Sequence, residues 1–210
     1  MTRAEYDINQ INALLTNCNT NEIINWVFNT AHAPAVSTSF GPNSAVLLHL
    51  VTRVIPDIPV IWVDSGYNAN ATYQFALEMI EKLGLNMKIY TPNATSAFLT
   101  VKLKGIPDVE TQAHKDFTKT VKLDPFRRAL DELDPDMWIT GVRAEETAHR
   151  KSLDLVSYQG LNRLKVAPIL NWQEQDVLDY IGKYDLPTEN NYFDPTKSIE
   201  GRECGLHTRL

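Results

Sequence analysis

Apolar positions along the chain repeat with two periods, one close to 3.6 residues and one in short β-branched runs. Asp7–Leu15 and Asn21–Thr30 predict two short helices, the second with Ile23, Ile24, Val27 and Phe28 on one stripe. Pro34 then opens Ala35–Phe40, a buried strand that ends in hydroxyl side chains, and Asn43–Val54 follows as a helix with Ala45, Val46, Leu48 and Leu50 inward. Pro56-Asp57 marks a turn, Ile58–Val63 a second strand, and Asn70–Leu83 a helix closed by Gly84. Met87–Tyr90 is a third strand and Thr95–Leu103 a further helix, whereas Lys104–Thr120 is polar and keeps neither period. Asp124–Leu133 reads as a helix with Pro125 in its first turn, and Met137–Thr140 as a fourth strand. Leu153–Tyr158 and Arg163–Val166 suit a small hairpin around Gln159-Gly160; Gln173–Tyr184 is an amphipathic helix, and from Pro187 the periodicity stops.

Strands that alternate with helices imply βαβ units and a mostly parallel sheet. The expected architecture is therefore α/β, a Rossmann-like three-layer fold in one domain spanning residues 1–210. Residues 1–32 would add N-terminal helices and 187–210 a mobile C-terminal tail. Ligands of such sheets bind beyond the carboxyl ends of the strands, at a topological switch point. That rule singles out four places: Ser37–Gly41, Asp64–Gly66, Thr91–Pro92 and Gly141–Arg143.

Composition narrows the functional classes. The net charge of −6 argues against general nucleic-acid binding, so an anionic ligand needs a local cluster of cations. Two cysteines, Cys18 and Cys204, exclude a disulfide framework and any four-cysteine zinc or iron–sulfur site within one chain. Met1–Asn12 has no apolar core of a signal peptide, and no run approaches the roughly 18 apolar residues of a membrane span. A cytoplasmic protein in a reducing compartment is expected. His32, His49 and His114 have no metal-ligand spacing, so no metal site is assigned, and Cys18 reads as a small apolar packing residue.

The candidate chemistry gathers at the strand ends and at the carboxyl terminus. Ser37-Thr38-Ser39-Phe40-Gly41-Pro42-Asn43-Ser44 places hydroxyls and a glycine before a helix, whose first amides and dipole favour a phosphate. It lacks the lysine of a Walker loop, and Ser39 or Asn43 as a plain helix cap accounts for it equally. Asp64-Ser65-Gly66 suits a ribose or adenine contact, or only a turn. Arg143 and Arg150 can clamp an anion or form a solvated face, and Lys122 precedes a helix start from which it can reach the cleft, while Arg127 and Arg128 read as surface residues. Cys204 lies in Glu203-Cys204-Gly205-Leu206-His207, with Arg202, His207 and Arg209 within five residues of the sulfur, which favours the thiolate. A free thiol on a frayed end is the competing reading.

Taken in order, Ser37–Ser44, Asp64–Tyr67, Lys122–Leu130, Gly141–Arg150, Pro168–Trp172 and above all Glu203–His207 resemble the assimilatory 3′-phosphoadenylyl-sulfate (PAPS) reductases and their adenylyl-sulfate (APS) relatives. The resemblance runs from Ala35 to His207 and implies an adenine nucleotide α-hydrolase-like fold. It further implies that Ser37, Thr38, Ser39, Phe40 and Gly41 face the phosphosulfate and that Asp64, Ser65 and Gly66 line the nucleoside pocket. Lys122, Arg143, Arg150 and Arg202 would neutralise the phosphate and sulfate. Cys204 would attack the sulfate sulfur, His207 would hold the anion or favour the thiolate, and thioredoxin or glutaredoxin would release sulfite. The same resemblance implies a homodimer. Cluster-bearing APS-type members carry a cysteine pair facing Phe117 and Thr118; with no cysteine there, the cluster-free, PAPS-using type is expected, with no bound cofactor. One departure stands out: only Pro187–Arg202 separates the last helix from the cysteine motif, a shorter segment than the family has.

Two other readings compete. An ATP-pyrophosphatase-type adenylating enzyme shares the fold but uses Ser-Gly-Gly-x-Asp-Ser, whereas this chain has Phe40 for a glycine and Asn43 for the aspartate. A degenerate relative that binds nucleotide without catalysis is the third.

Overall fold

The structure is a computed structural model, and residues 6–160 and 163–197 are described. Two helices, α1 (Ile8–Leu15) and α2 (Thr20–Thr30), precede the sheet. Both start on side-chain caps, Asp7 accepting from the Gln10 N–H and Asn19 forming a capping box with Glu22. The sheet then builds through β1 (Pro34–Thr38), α3 (Ser44–Thr52), β2 (Pro59–Val63), α4 (Asn70–Leu83) and β3 (Asn86–Tyr90). The chain continues through α5 (Ser96–Leu103), α6 (Gln112–Thr118), α7 (Asp124–Leu133) and β4 (Met137–Ile139), then β5 (Val156–Gln159), β6 (Arg163–Val166) and α8 (Glu174–Tyr184).

The strand order is β3-β2-β1-β4-β6-β5, parallel except for the β5–β6 hairpin. Growth runs outward from β1 to β3 and then jumps to β4 on the other side of β1. The β1–β4 seam is therefore the switch point at which the flanking connections diverge and leave a crevice. Asp136 fixes the opposite end of that seam, its carboxylate accepting from the His32 N–H at 2.7 Å and the Ala33 N–H at 2.9 Å.

Period-two alternation divides the strands between two apolar layers. Val36, Val60, Trp62, Met137 and Ile139 face a large cluster with Ile23, Ile24 and Val27 of α2, most of α3, Phe75 and Met79 of α4 and Val177 of α8. Ala35, Ile61 and Trp138 face the other way, onto Phe126, Ala129 and Leu130 of α7. This is the three-layer α/β arrangement read from the sequence. Among the described residues, no helix is long and apolar enough to cross a membrane.

Two local features go beyond what periodicity gave. Lys104–Thr120, which keeps neither period, contains α6, and α6 runs through a π-helical turn, Lys119–Leu123, directly into α7. Pro125 has no N–H and its ring crowds the carbonyl four residues back, so an α ladder is disfavoured there. The wider turn, in which the Asp124 N–H reaches the Lys119 carbonyl, accommodates it. Further on, residues 187–197 are not a bare extension: Glu189, Pro195 and Thr196 are buried, so this part of the expected tail is packed, and its remainder, 198–210, lies outside the described residues.

Phe40 has φ 50°, a left-handed backbone in a residue with a side chain. Its ring is fully buried, edge-on to Trp62 with centroids 4.9 Å apart and to Phe75 at 6.2 Å. Burying such a side chain contributes about 2–3 kcal/mol and each aromatic pair about 0.5–1.5 kcal/mol. The left-handed backbone costs roughly 1–2 kcal/mol, so packing wins and pins the loop. Phe40→Ala keeps the strain and loses the packing. It should lower unfolding stability by about 3–5 kcal/mol in urea titration; a loss below about 1 kcal/mol would contradict this account.

Candidate active site

A cleft of about 250 Å³ opens at the β1–β4 seam. Its floor is the end of β1, where Ser37 Oγ accepts from Trp138 Nε1 at 2.8 Å and Thr38 Oγ1 accepts from the Phe40 N–H at 3.1 Å. Ser39, Gly41, Pro42, Asn43 and Ser44 continue the wall into the first turn of α3. Asn43 makes no side-chain cap bond to α3, so plain capping by Asn43 does not account for this loop. The N-terminal end of α3, with its positive dipole, faces the cleft. Phe40 is corrected: its ring points into the core, away from the cleft, and it shapes the loop instead of touching a ligand.

At the end of β2 the expected trio separates. Ser65 lines the cleft; Asp64 and Gly66 do not. Asp64 Oδ1 accepts from the Gly66 N–H at 2.9 Å, Asn68 Nδ2 at 2.9 Å and the Tyr73 hydroxyl at 2.8 Å. Asp64 therefore organises the turn that presents Ser65 and Asn68. Gly66 has φ 77°, and a Cβ there would lie 3.1 Å from Ser96, so the turn requires glycine. The β3 end is outside the cleft: Arg128 bonds the Thr91 carbonyl there, and Asn93 Oδ1 at 2.9 Å.

The third wall follows β4. The Thr140 N–H bonds the Val166 carbonyl at 2.9 Å, and the Ala144 N–H bonds the Leu170 carbonyl at 2.7 Å, which fixes Gly141–Arg143 between them. Arg143 and Arg150 are both buried and both line the cleft. Arg143 pairs with Glu145, with Glu146 at 3.6 Å and with Glu174 at 2.7 Å, while Glu146 also holds Arg150. Lys122, placed by the π turn between buried Val121 and Leu123, enters from the opposite side and pairs with Asp194. Burial pushes the Asp194 carboxyl up, but the Lys122 ammonium and two bonds from Thr196 outweigh it and leave it below the usual carboxylate range.

Reading the sequence alone missed Asn68, Tyr192, Asp194 and Lys197, all of which line the cleft. The Asp194-Pro195 pair was an available turn signal. Cys204, His207 and Arg202 lie outside the described residues. Lys197 is on the rim of the cleft, and seven further residues span at most about 25 Å, so the chain is long enough to bring Cys204 to it. Among the described residues, no group of three or more histidines, cysteines, aspartates or glutamates is gathered for a metal ion. Cys18 packs half-buried against the main core.

A phosphate-favouring loop and a cationic rim at the switch point of a 3-2-1-4 sheet define a protein of the adenine nucleotide α-hydrolase-like class. Within that class, the chain belongs to the family described as the phosphoadenosine phosphosulfate reductase domain, which matches residues 33–205. A phosphoadenosine 5′-phosphosulfate reductase of Synechococcus sp. is 40% identical over 184 residues, covering 86% of this chain and 78% of that protein. One from Xanthomonas euvesicatoria pv. vesicatoria is 36% identical over 226 residues, covering 96% and 92%. That alignment is longer than the 210 residues here, so the relative carries residues this chain lacks. In fold, the chain is similar to the phosphoadenylyl-sulfate reductase of Candida auris, with a TM-score of 0.76, 21% identity and coverage of 90% and 91%.

The Asp64 turn has a titration signature. Burial first, then the hydrogen bond to Asp64, push the Tyr73 hydroxyl up to about 12 from 10.0. Folding thus favours the neutral phenol: the stabilisation is complete below pH 10 and is lost as pH rises toward 12. Ultraviolet titration should show one tyrosine ionising near 12 that disappears in Tyr73→Phe; an unchanged curve would remove the Asp64–Tyr73 bond from this account.

Proposed function

We propose that this protein reduces PAPS to sulfite and adenosine 3′,5′-bisphosphate in assimilatory sulfate reduction, in the cytoplasm, with thioredoxin or glutaredoxin as the electron donor. The observation that supports it most is the convergence of Lys122, Arg143, Arg150 and Lys197 with the N-terminus of α3 on one cleft, from whose rim the chain runs on to Cys204.

In this reading Ser39, Gly41 and the start of α3 hold the phosphosulfate, Ser65 and Asn68 border the nucleoside, and the cations stabilise charge that builds on the leaving phosphate. The Cys204 thiolate attacks the sulfate sulfur. The bond from that sulfur to the bridging oxygen breaks, the electron pair leaves with the nucleotide, and S-sulfocysteine remains. Phosphate is a good leaving group, so no general acid is required. A thiolate of the external dithiol then attacks Cys204 Sγ and expels sulfite. The second thiol resolves the mixed disulfide, so the dithiol is oxidised by two electrons and sulfur(VI) becomes sulfur(IV). His207 and Arg202, within three residues of Cys204, are assigned to holding the anionic group and favouring the thiolate.

APS is the alternative substrate, and turnover on PAPS and APS with one reductant separates the two. The pyrophosphatase reading is disfavoured because Phe40 fills the core where that motif needs glycine. Incubation with PAPS before any reductant should add about 80 Da, one SO3 unit, at Cys204. Cys204→Ser should bind adenosine 3′,5′-bisphosphate as the parent does, gain no mass and release no sulfite. Full turnover by that variant would overturn the mechanism, and binding without any mass gain in the parent would favour a non-catalytic nucleotide binder.

A further inference from the structure

The cleft is acidic as well as basic. Lys122, Arg143 and Arg150 are each paired with a carboxylate of the chain, so an arriving polyanion meets sites already engaged. Two of those carboxylates, Glu145 and Glu146, belong to the same loop as the arginines, and Glu174 opens α8. Asp194 is different, because it comes from the last described stretch of the chain, 72 positions after Lys122. Its two oxygens do separate work. Oδ1 closes a local turn, accepting from the Thr196 N–H at 2.9 Å and the Thr196 hydroxyl at 2.6 Å. Oδ2 meets Lys122 Nζ, which also donates to Thr196 Oγ1 at 3.3 Å. The Asp194 side chain is 6% exposed and that of Lys122 12%, so the contact is shielded from solvent.

The same strap is seated at two other points. The Tyr192 ring lies 3.6 Å from where a Cβ on Gly41 would be, directly over the phosphate-favouring loop. The Pro195 carbonyl accepts from His114 Nε2 at 3.2 Å, and that ring is fully buried in α6. Tyr192, Asp194, Pro195 and Lys197 thus all line the cleft, and the carboxylate on Lys122 is a charged contact of this seating that a ligand anion can substitute.

We propose that Asp194 is an internal stand-in for the substrate's anionic group, a latch that holds the strap across the cleft and competes with the nucleotide for Lys122. The proposal rests on the nucleotide reading of the cleft and adds a specificity device to it. Only a ligand that brings negative charge to Lys122 displaces the carboxylate; an uncharged nucleoside leaves the latch closed. Removing the carboxylate takes an anionic partner away from a shielded cation, a change that favours any anion supplied in its place.

Asp194→Asn tests this with little change of shape, since the amide oxygen can keep the Thr196 turn. Calorimetry with adenosine 3′,5′-bisphosphate should show about tenfold tighter binding than the parent, the size expected when a partly buried charge loses an internal competitor. Binding of adenosine should be unchanged. In a Lys122→Gln background the same substitution should alter nucleotide affinity by less than about twofold, because the coupling runs through that lysine. In the unsubstituted protein, adding the nucleotide should speed hydrogen exchange at the Thr196 and Lys197 amides, a readout that does not depend on any variant folding. Equal or weaker binding by Asp194→Asn, the same gain without Lys122, or slower exchange on adding nucleotide each overturns the latch. If the parent gains SO3 at Cys204 while these results fail, the latch alone is wrong; if the parent binds no nucleotide, both readings fall.

Discussion

The structure depends on how an acidic chain keeps cations in a crevice before any ligand arrives. Arg143, Arg150 and Lys122 have side chains only 5%, 7% and 12% exposed, and a buried charge without a partner is costly. The chain meets this by supplying carboxylates from three elements: the loop after β4, the first turn of α8 and the strap beyond α8. The buried cations are thereby paired within the chain itself, and under the latch we propose an incoming anion exchanges partners with these carboxylates. Asp194 is the one on the part of the chain that leads to Cys204.

Around that charge arrangement the apolar core supplies rigidity. Val36 and Ala35 anchor β1 in opposite layers, Asp136 ties the far end of the seam, and the Phe40 ring holds the turn that follows β1 against Trp62 and Phe75. The loop facing the cleft is therefore set from beneath by packing, and the Tyr192 ring lies close to Gly41. Asp64 does comparable work at β2: it accepts from two groups of its own turn and from Tyr73 of α4, and lets Ser65 and Asn68 do the facing.

Family membership fits this division of labour. The family match spans residues 33–205, which takes in every wall of the cleft and reaches Cys204. The distant fold similarity at 21% identity shows the layered sheet and nothing finer. The chemistry we propose draws its support from local geometry, namely a phosphate-favouring loop and cations at a switch point, and from a thiol seven residues past Lys197.

Alternating apolar periods were enough to determine the α/β class and the positions of the strands and of most helices to within a few residues, and the switch-point rule named four strand ends, of which Ser37–Gly41 and Gly141–Arg143 border the cleft while Thr91–Pro92 does not. These follow from local rules, since a strand's pattern and a loop's hydroxyls are written in consecutive residues. The tertiary structure alone decided the rest. The π turn hides in a polar stretch because its cause, Pro125, looks like an ordinary helix start. The inward ring of Phe40, the turn-building role of Asp64 and the ion pair of Lys122 with Asp194 each depend on partners distant along the chain or on backbone angles, which periodicity does not encode. Electrostatic pairing acts through space, so which carboxylate closes which cation becomes definite only once the sheet has brought them together.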